Sequence, residues 1–250
     1  NDLIRTEEYA RRSLDYNRFN LSGNMILAVV FRLRKDRVNA EKTLAELLEI
    51  DPLCHAARFE RYLWADTEES LDALKKPIQN EFPHETYLET ALEYVRMGRM
   101  VEGVRILEIA PSYPVIDFWL SWLYRNSNQE KSECIPHRAL EASPFLVFPF
   151  RRESIPVFNW ALSRIDSWKA HYYLALILWN IGREDEAAKH FETCRDNPDF
   201  MPFYLSRSRF YRDRHLQDKS LKDLLKARAM APGDWRAAHI LSDFYLTEGA

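Results

Sequence analysis

The chain has 250 residues, with 35 Lys and Arg against 38 Asp and Glu. That near-neutral balance removes the electrostatic case for nucleic acid or an anionic membrane. Its 46% hydrophobic and 13% aromatic content excludes disorder, and only six glycines argue against many short strands.

The chain opens inside a helical pattern. Thr6–Leu14 reads as the second helix of a unit whose first helix is missing. Leu27, Ala28 and Phe31 then share one helix, and Ala40, Leu44 and Leu47 the next, which Pro52 ends. Small residues at Ala28 and Ala40 let the two helices approach, with Leu27, Phe31 and Leu44 filling the space between. Leu53–Ala65 and Glu68–Leu74 form a weaker pair, with Asp66 or Thr67 as the N-cap before an acidic first turn. From Pro83, Tyr87, Ala91 and Tyr94 lie on one helix, Gly98 turns the chain, and Gly103 and Leu107 lie on the next, ended by Pro111.

Asp117–Arg125 repeats the first-helix spacing with Leu120, Ser121 and Tyr124. Its second helix fails the pattern: Glu133 falls where alanine belongs, and Pro136 interrupts. Residues 135–156 hold four prolines, which helix interiors tolerate poorly. The expectation there is a broken helix, an apolar loop through Phe145–Phe150, and a new helix over about Pro156–Ile165.

The clearest unit runs from Trp168 to Pro198. Ala175 and Leu178 lie on its first helix, Gly182 breaks it, and Ala187, Phe191 and Cys194 follow at i, i+4 and i+7. Phe203–Arg214 and Ser220–Met230 form another pair, closed by Pro232-Gly233. Trp235–Thr247 begins a last unit with Ala238, Leu241, Ser242 and Tyr245. The sequence stops at Gly249-Ala250, where a second helix should follow, so the chain reads as a piece of a longer protein.

One helix–turn–helix per about 34 residues marks a solenoid. These residues together resemble the tetratricopeptide repeat (TPR) family, most strongly at Asn24–Pro52 and Trp168–Pro198 and fairly at Tyr87–Leu107. With its PFRRESIPVFNWAL segment, the region also resembles the C-terminal helical part of large bacterial multidomain proteins. Those carry an N-terminal β-rich domain of unknown function with a sugar-enzyme-like look. The resemblance implies an all-α fold: a right-handed α-α superhelix of antiparallel helix pairs, here irregular in the middle. The expected organisation is TPR-like pairs over 1–128, a proline-rich segment over 129–166 and further pairs over 167–250, in one continuous solenoid.

The resemblance places candidate ligand residues on the first helix of each unit, facing the concave side. They are Arg32 in the Asn24 unit and Arg96 in the Tyr87 unit, then Phe118, Trp122, Arg125 and Asn126. In the Trp168 unit they are Lys169, Tyr172, Trp179 and Asn180. Arg125 with Asn126, and Lys169 with Asn180, would hold a peptide backbone or a carboxylate, because a guanidinium fork matches carboxylate geometry. Trp122, Tyr172 and Trp179 would anchor apolar side chains or stack on sugar rings. Equally, Trp122 and Trp179 would simply pack against a neighbouring repeat or a returning loop.

Signals for chemistry are sparse. Cys54, Cys134 and Cys194 are odd in number and form no C-x-x-C, so neither a disulfide framework nor a zinc site is indicated. Free thiols fit a reducing compartment such as the cytoplasm without fixing it. His171 and His190 share a repeat but belong to no H-E-x-x-H motif. Glu184-Asp185-Glu186 opens a helix, where negative charge suits the macrodipole. Arg207, Arg209, Arg212 and Arg214 do not share one face at about 100° per residue, so they make no basic stripe. The apolar window Met25–Phe31 is too short to span a bilayer. No phosphate-binding or nucleophile-elbow motif occurs.

The expectation is therefore not an enzyme. It is an interaction scaffold without cofactor or metal, binding a peptide, a partner protein or another domain of its own polypeptide, with weak self-association through its open ends. Neither nucleic acid nor membrane is an expected partner. The alternative is an accessory region that positions carbohydrate for a larger sugar-processing enzyme.

Overall fold

The computed structural model describes residues 2–248. Among them are fifteen α-helices, a short 3-10 turn at Arg152–Ser154, and no strand. The chain divides into two compact units, Asn1–Ser112 and Tyr113–Ala250. Gly249 and Ala250, on which the expectation of a further helix rested, lie outside the described residues.

The first unit holds α1 (Leu3–Tyr16), α2 (Leu21–Leu33), α3 (Arg37–Ile50), α4 (His55–Ala65), α5 (Glu68–Lys75), α6 (Pro83–Arg96) and α7 (Met100–Ile109). Helices α2/α3, α4/α5 and α6/α7 form antiparallel pairs, and α1 packs on α2. The first helices α2, α4 and α6 adjoin in turn, so they form a row. Ala28 and Ala40 are buried between α2 and α3, beside Leu27, Phe31 and Leu44. Leu14, Ile26 and Trp64 close over the cluster of Ala10, Leu27, Phe31 and Ala40. Asp2, Asn20, Asp36 and Thr67 each accept a backbone N–H at their helix start. Of the two cap candidates before α5, Thr67 is the N-cap, with a reciprocal capping box to Ser70; Asp66 instead ends α4 in a left-handed conformation.

The second unit holds α8 (Pro114–Tyr124), α9 (Gln129–Glu141), α10 (Ile155–Leu162), α11 (Trp168–Asn180), α12 (Glu184–Thr193), α13 (Met201–Asp213), α14 (Gln217–Met230) and α15 (Trp235–Glu248). Pairs form as α8/α9, α11/α12 and α13/α14, with α15 on α14. The short α10 packs on both α8 and α11. Its Phe158 joins Phe118 and Tyr173 at ring-centroid distances of 5.1 and 6.0 Å. The indole N–H of Trp119 donates to Ser154 Oγ at 2.9 Å and fixes the entry to α10.

Four helix pairs turn in the same way. Lys35, Gly98, Gly182 and His215 all have positive φ, between 56° and 77°. In each case the next residue's N–H reaches back five residues, to Phe31, Tyr94, Leu178 and Tyr211 respectively. That is the Schellman closure, and the residue making it is also the N-cap of the following helix. A Cβ added at Gly182 meets nothing within 4 Å. The cost of Gly182→Ala is therefore backbone strain alone, and about 1 kcal/mol in a urea titration is the expected loss.

The structure corrects the reading of Pro136. Helix α9 is not broken: it runs unbroken from Gln129 to Glu141 with Pro136 buried inside it. Proline cannot donate to the carbonyl four residues back, which here is Ser132 O. The hydroxyl of Ser121 on α8 donates to that oxygen at 2.6 Å instead, and Ser132 Oγ donates back to Ser121 O at 3.0 Å. The neighbouring helix thus supplies the missing donor. Ser121→Ala should cost about 1–3 kcal/mol, the penalty for an unsatisfied buried carbonyl. In a Pro136→Ala background the restored N–H takes over, and the same mutation should cost clearly less. A double-mutant cycle by urea denaturation checks this.

Candidate functional site

The row of first helices in the first unit carries a groove of about 250 Å³. Its walls include Met25 from α2, Asp51, Cys54 and His55 at the start of α4, and Glu89 and Glu93 from α6. Asp51 accepts the backbone N–H of Leu53, so the loop before α4 holds it in place. Glu89 and Glu93 are one helical turn apart, a like-charge spacing that destabilises a helix. Burial pushes the Glu93 carboxyl above its ordinary range, the neighbouring Glu89 adds to this, and Arg96 pulls back less strongly. Burial and Arg58 push His55 down, and burial pushes the Cys54 thiol up. The groove therefore sets three carboxyl groups beside an imidazole and a thiol that burial holds toward their neutral forms. It can take up a cationic group; among the described residues no cluster of three His, Cys, Asp or Glu side chains is placed to hold a metal.

The sequence-derived candidates are dispersed. Arg32 is consumed inside the first unit. Its Nε donates to Glu60 Oε2 at 2.6 Å and its Nη2 to Glu102 Oε1 at 2.8 Å. Tyr94 OH donates to the other Glu60 oxygen at 2.9 Å, and Arg99 also pairs with Glu102. Arg96 is exposed at the end of α6, one turn beyond Glu93.

In the second unit, Phe118 and Tyr172 are interior rather than on a groove, at 1% and 2% exposure. The Tyr172 hydroxyl meets Ser206 Oγ at 3.1 Å, and burial raises its pKa to about 12. Both face inward because their helices are covered, by α10 at Phe118 and by α13 at Tyr172. A buried ring is not a sugar platform, so the carbohydrate alternative draws no support from Tyr172. Trp179 is half-buried, edge-on to Phe191 and Phe210 of the next helices.

Lys169 caps α9, its ammonium donating to Leu140 O at 2.5 Å and Ala142 O at 2.7 Å. Asn180 is exposed and reaches Phe150 O at 3.4 Å. Trp122 and Arg125 are brought together, with the guanidinium 3.7 Å from the ring centroid and donating to Trp122 O. Asn126 beside them is exposed.

Three of the four arginines in the apparent run at α13 also resolve into pairs. Arg207 is buried against Asp223, Arg212 pairs with Asp243, and Arg214 with Glu184 and Asp185. His171 and His190 meet Nδ1 to Nδ1 at 2.8 Å. Burial pushes both down, His190 to about 4 with His171 adding to the effect, so one neutral ring donates to the other. Sequence reasoning missed Asp51, His55, Glu89 and Glu93. The one local clue was the unfavourable Glu89–Glu93 spacing.

Among the described residues, no helix is long and apolar enough to cross a membrane. No family model matches the sequence, and no curated protein matches it. Solved structures that are similar include YrrB, described as a TPR protein with an unusual peptide-binding site. It shares 15% identity over 94% of this chain and 98% of its own, with a TM-score of 0.34. A TPR protein from Parabacteroides merdae shares 16% identity over 90% and 98%, with a TM-score of 0.33. The TPR domain of P58(IPK) shares 11% over 97% and 92%, also with a TM-score of 0.33. At these values the likeness adds no argument to the helix pairs already described.

Proposed function

We propose that the chain is a non-catalytic scaffold that binds a protein partner through the first-helix groove of its first unit. The partner segment is extended and presents a lysine or arginine to Glu93. The observation that carries this is the half-buried Glu93 carboxylate, which has no hydrogen bond or ion pair among the described residues, beside Glu89 and Asp51. A half-buried carboxylate crowded by a second one is costly in the free protein. A bound ammonium or guanidinium relieves that cost, so binding selects for positive charge.

The test is calorimetric titration of the full chain with an acetylated, amidated lysine-containing peptide and its alanine counterpart. The lysine peptide should bind saturably and weaken with salt. Glu93→Gln should weaken it about tenfold while raising stability by about 0.2–0.5 kcal/mol, because it relieves the repulsion with Glu89. Equal binding of both peptides, or no loss in Glu93→Gln, defeats the proposal.

A further inference from the structure

The first unit carries a second cleft, of about 410 Å³, over a different face of α4. Arg58, Arg61, Trp64 and Ala65 line it, and at about 100° per residue they share one face of that helix. Arg37 and Glu41 of α3 form one wall, and Glu69 and Ser70 of α5 the other. Three arginines thus meet two glutamates, and Glu41 is already taken by the Arg61 fork. Arg37 is exposed and makes no ion pair among the described residues.

Two donors at this cleft lack acceptors. Arg58 Nη2 donates to Pro52 O at 2.5 Å, but its Nη1 and the Trp64 Nε1 are buried with no hydrogen-bond partner. Buried N–H groups are almost always paired. These two belong to side chains that line the cleft but lie beneath its surface, so a small turn of either side chain on binding would give it an acceptor.

We propose that this cleft binds an aspartate or glutamate side chain of an acidic peptide segment. Arg58 has Nη1 left to donate to a carboxylate, with Arg37 and Arg61 beside it as further positive charge. The charge excess of the lining is single, which suits one carboxylate. Glu41 and Glu69 at the walls repel a dense polyanion, so a phosphate chain or nucleic acid is disfavoured. Ala65 and Ala73 supply apolar contact for the segment's methylenes. The site is separate from the acidic groove, and the two clefts prefer opposite charges.

The test uses the full chain and follows the Trp64 indole N–H by NMR, assigned by its loss in Trp64→Phe. The probes are an acetylated, amidated Asp/Glu peptide, its Asn/Gln counterpart, and inorganic phosphate. The acidic peptide should shift the Trp64 signal saturably, and the amide peptide should not. Arg37→Glu should weaken the acidic peptide about tenfold with little change in thermal stability, since Arg37 holds no ion pair and the new repulsion with Glu41 is offset by the favourable negative charge in the first turn of α3. Glu93→Gln should leave this binding intact, which separates its failure from failure of the groove reading. The proposal is overturned by an unmoved Trp64 signal, by equal response to the amide peptide, or by wild-type affinity in Arg37→Glu. A response to phosphate as strong as to the peptide also overturns it, leaving an unselective anion site.

Discussion

Arg207→Ala should destabilise the second unit by about 3–5 kcal/mol, the cost of leaving a buried charge without its partner. Arg207 is buried, and its Nε and Nη2 grip Asp223 at 2.7 and 2.8 Å. Its Nη1 donates to the carbonyls of Phe191 and Arg195 at 3.1 and 2.7 Å, at the end of α12. One guanidinium therefore ties α12, α13 and α14. Lysine cannot reproduce that fork, so Arg207→Lys should recover little. Replacing the pair with apolar residues, Arg207→Met with Asp223→Leu, removes the stranded carboxylate but still strands two carbonyls. It should recover only part of the loss. Urea denaturation gives the free energies, and hydrogen exchange in α12–α14 should show where protection is lost.

Arg32→Ala should have a comparable cost in the first unit, about 3–5 kcal/mol. Glu60 has 0% side-chain exposure, and Arg32 is its charge partner. Burial already pushes its carboxyl above the ordinary value of 4.5, against the pull of Arg32 and Tyr94. Removing Arg32 frees that upward push. The folded variant then takes up a proton at higher pH than the unfolded chain does. Its stability should therefore rise as pH falls through the folded pKa toward the unfolded value, more steeply than in the wild type. Urea midpoints from about pH 7.5 to about pH 5.5 measure this slope. Adding Glu60→Gln should flatten it and restore part of the stability, since the neutral amide still accepts from Tyr94. A variant whose stability stays flat across that range would mean Glu60 is not stranded.

The helix pairs were legible in sequence because their signals are local. Ala28 facing Ala40, Gly98 and Gly182 at turns, and Pro52 and Pro198 after helices all act within one turn or one pair. What was not legible depends on partners far along the chain. Arg32 looks like a groove residue until Glu60 and Glu102 arrive from 28 and 70 positions away. Arg207 looks like part of a basic run until Asp223 meets it. Pro136 looks like a helix breaker because its rescue, Ser121, sits on another helix. Phe118 and Tyr172 fit a surface spacing, yet α10 and α13 cover them, and neither cover is written in the residues' own helices. The acidic groove escaped for the same reason: Asp51 and Glu93 come from separate repeats.

The recurring turn at Lys35, Gly98, Gly182 and His215 has an evolutionary corollary. Its closing bond runs from main chain to main chain, so it is indifferent to which side chains flank it. A repeat hinged in that way can exchange nearly every letter and still deliver its second helix to the same place. Lysine and histidine stand at two of the four turns, where glycine is easiest. The array can thus hold its geometry while the side chains at its turns differ from one helix pair to the next.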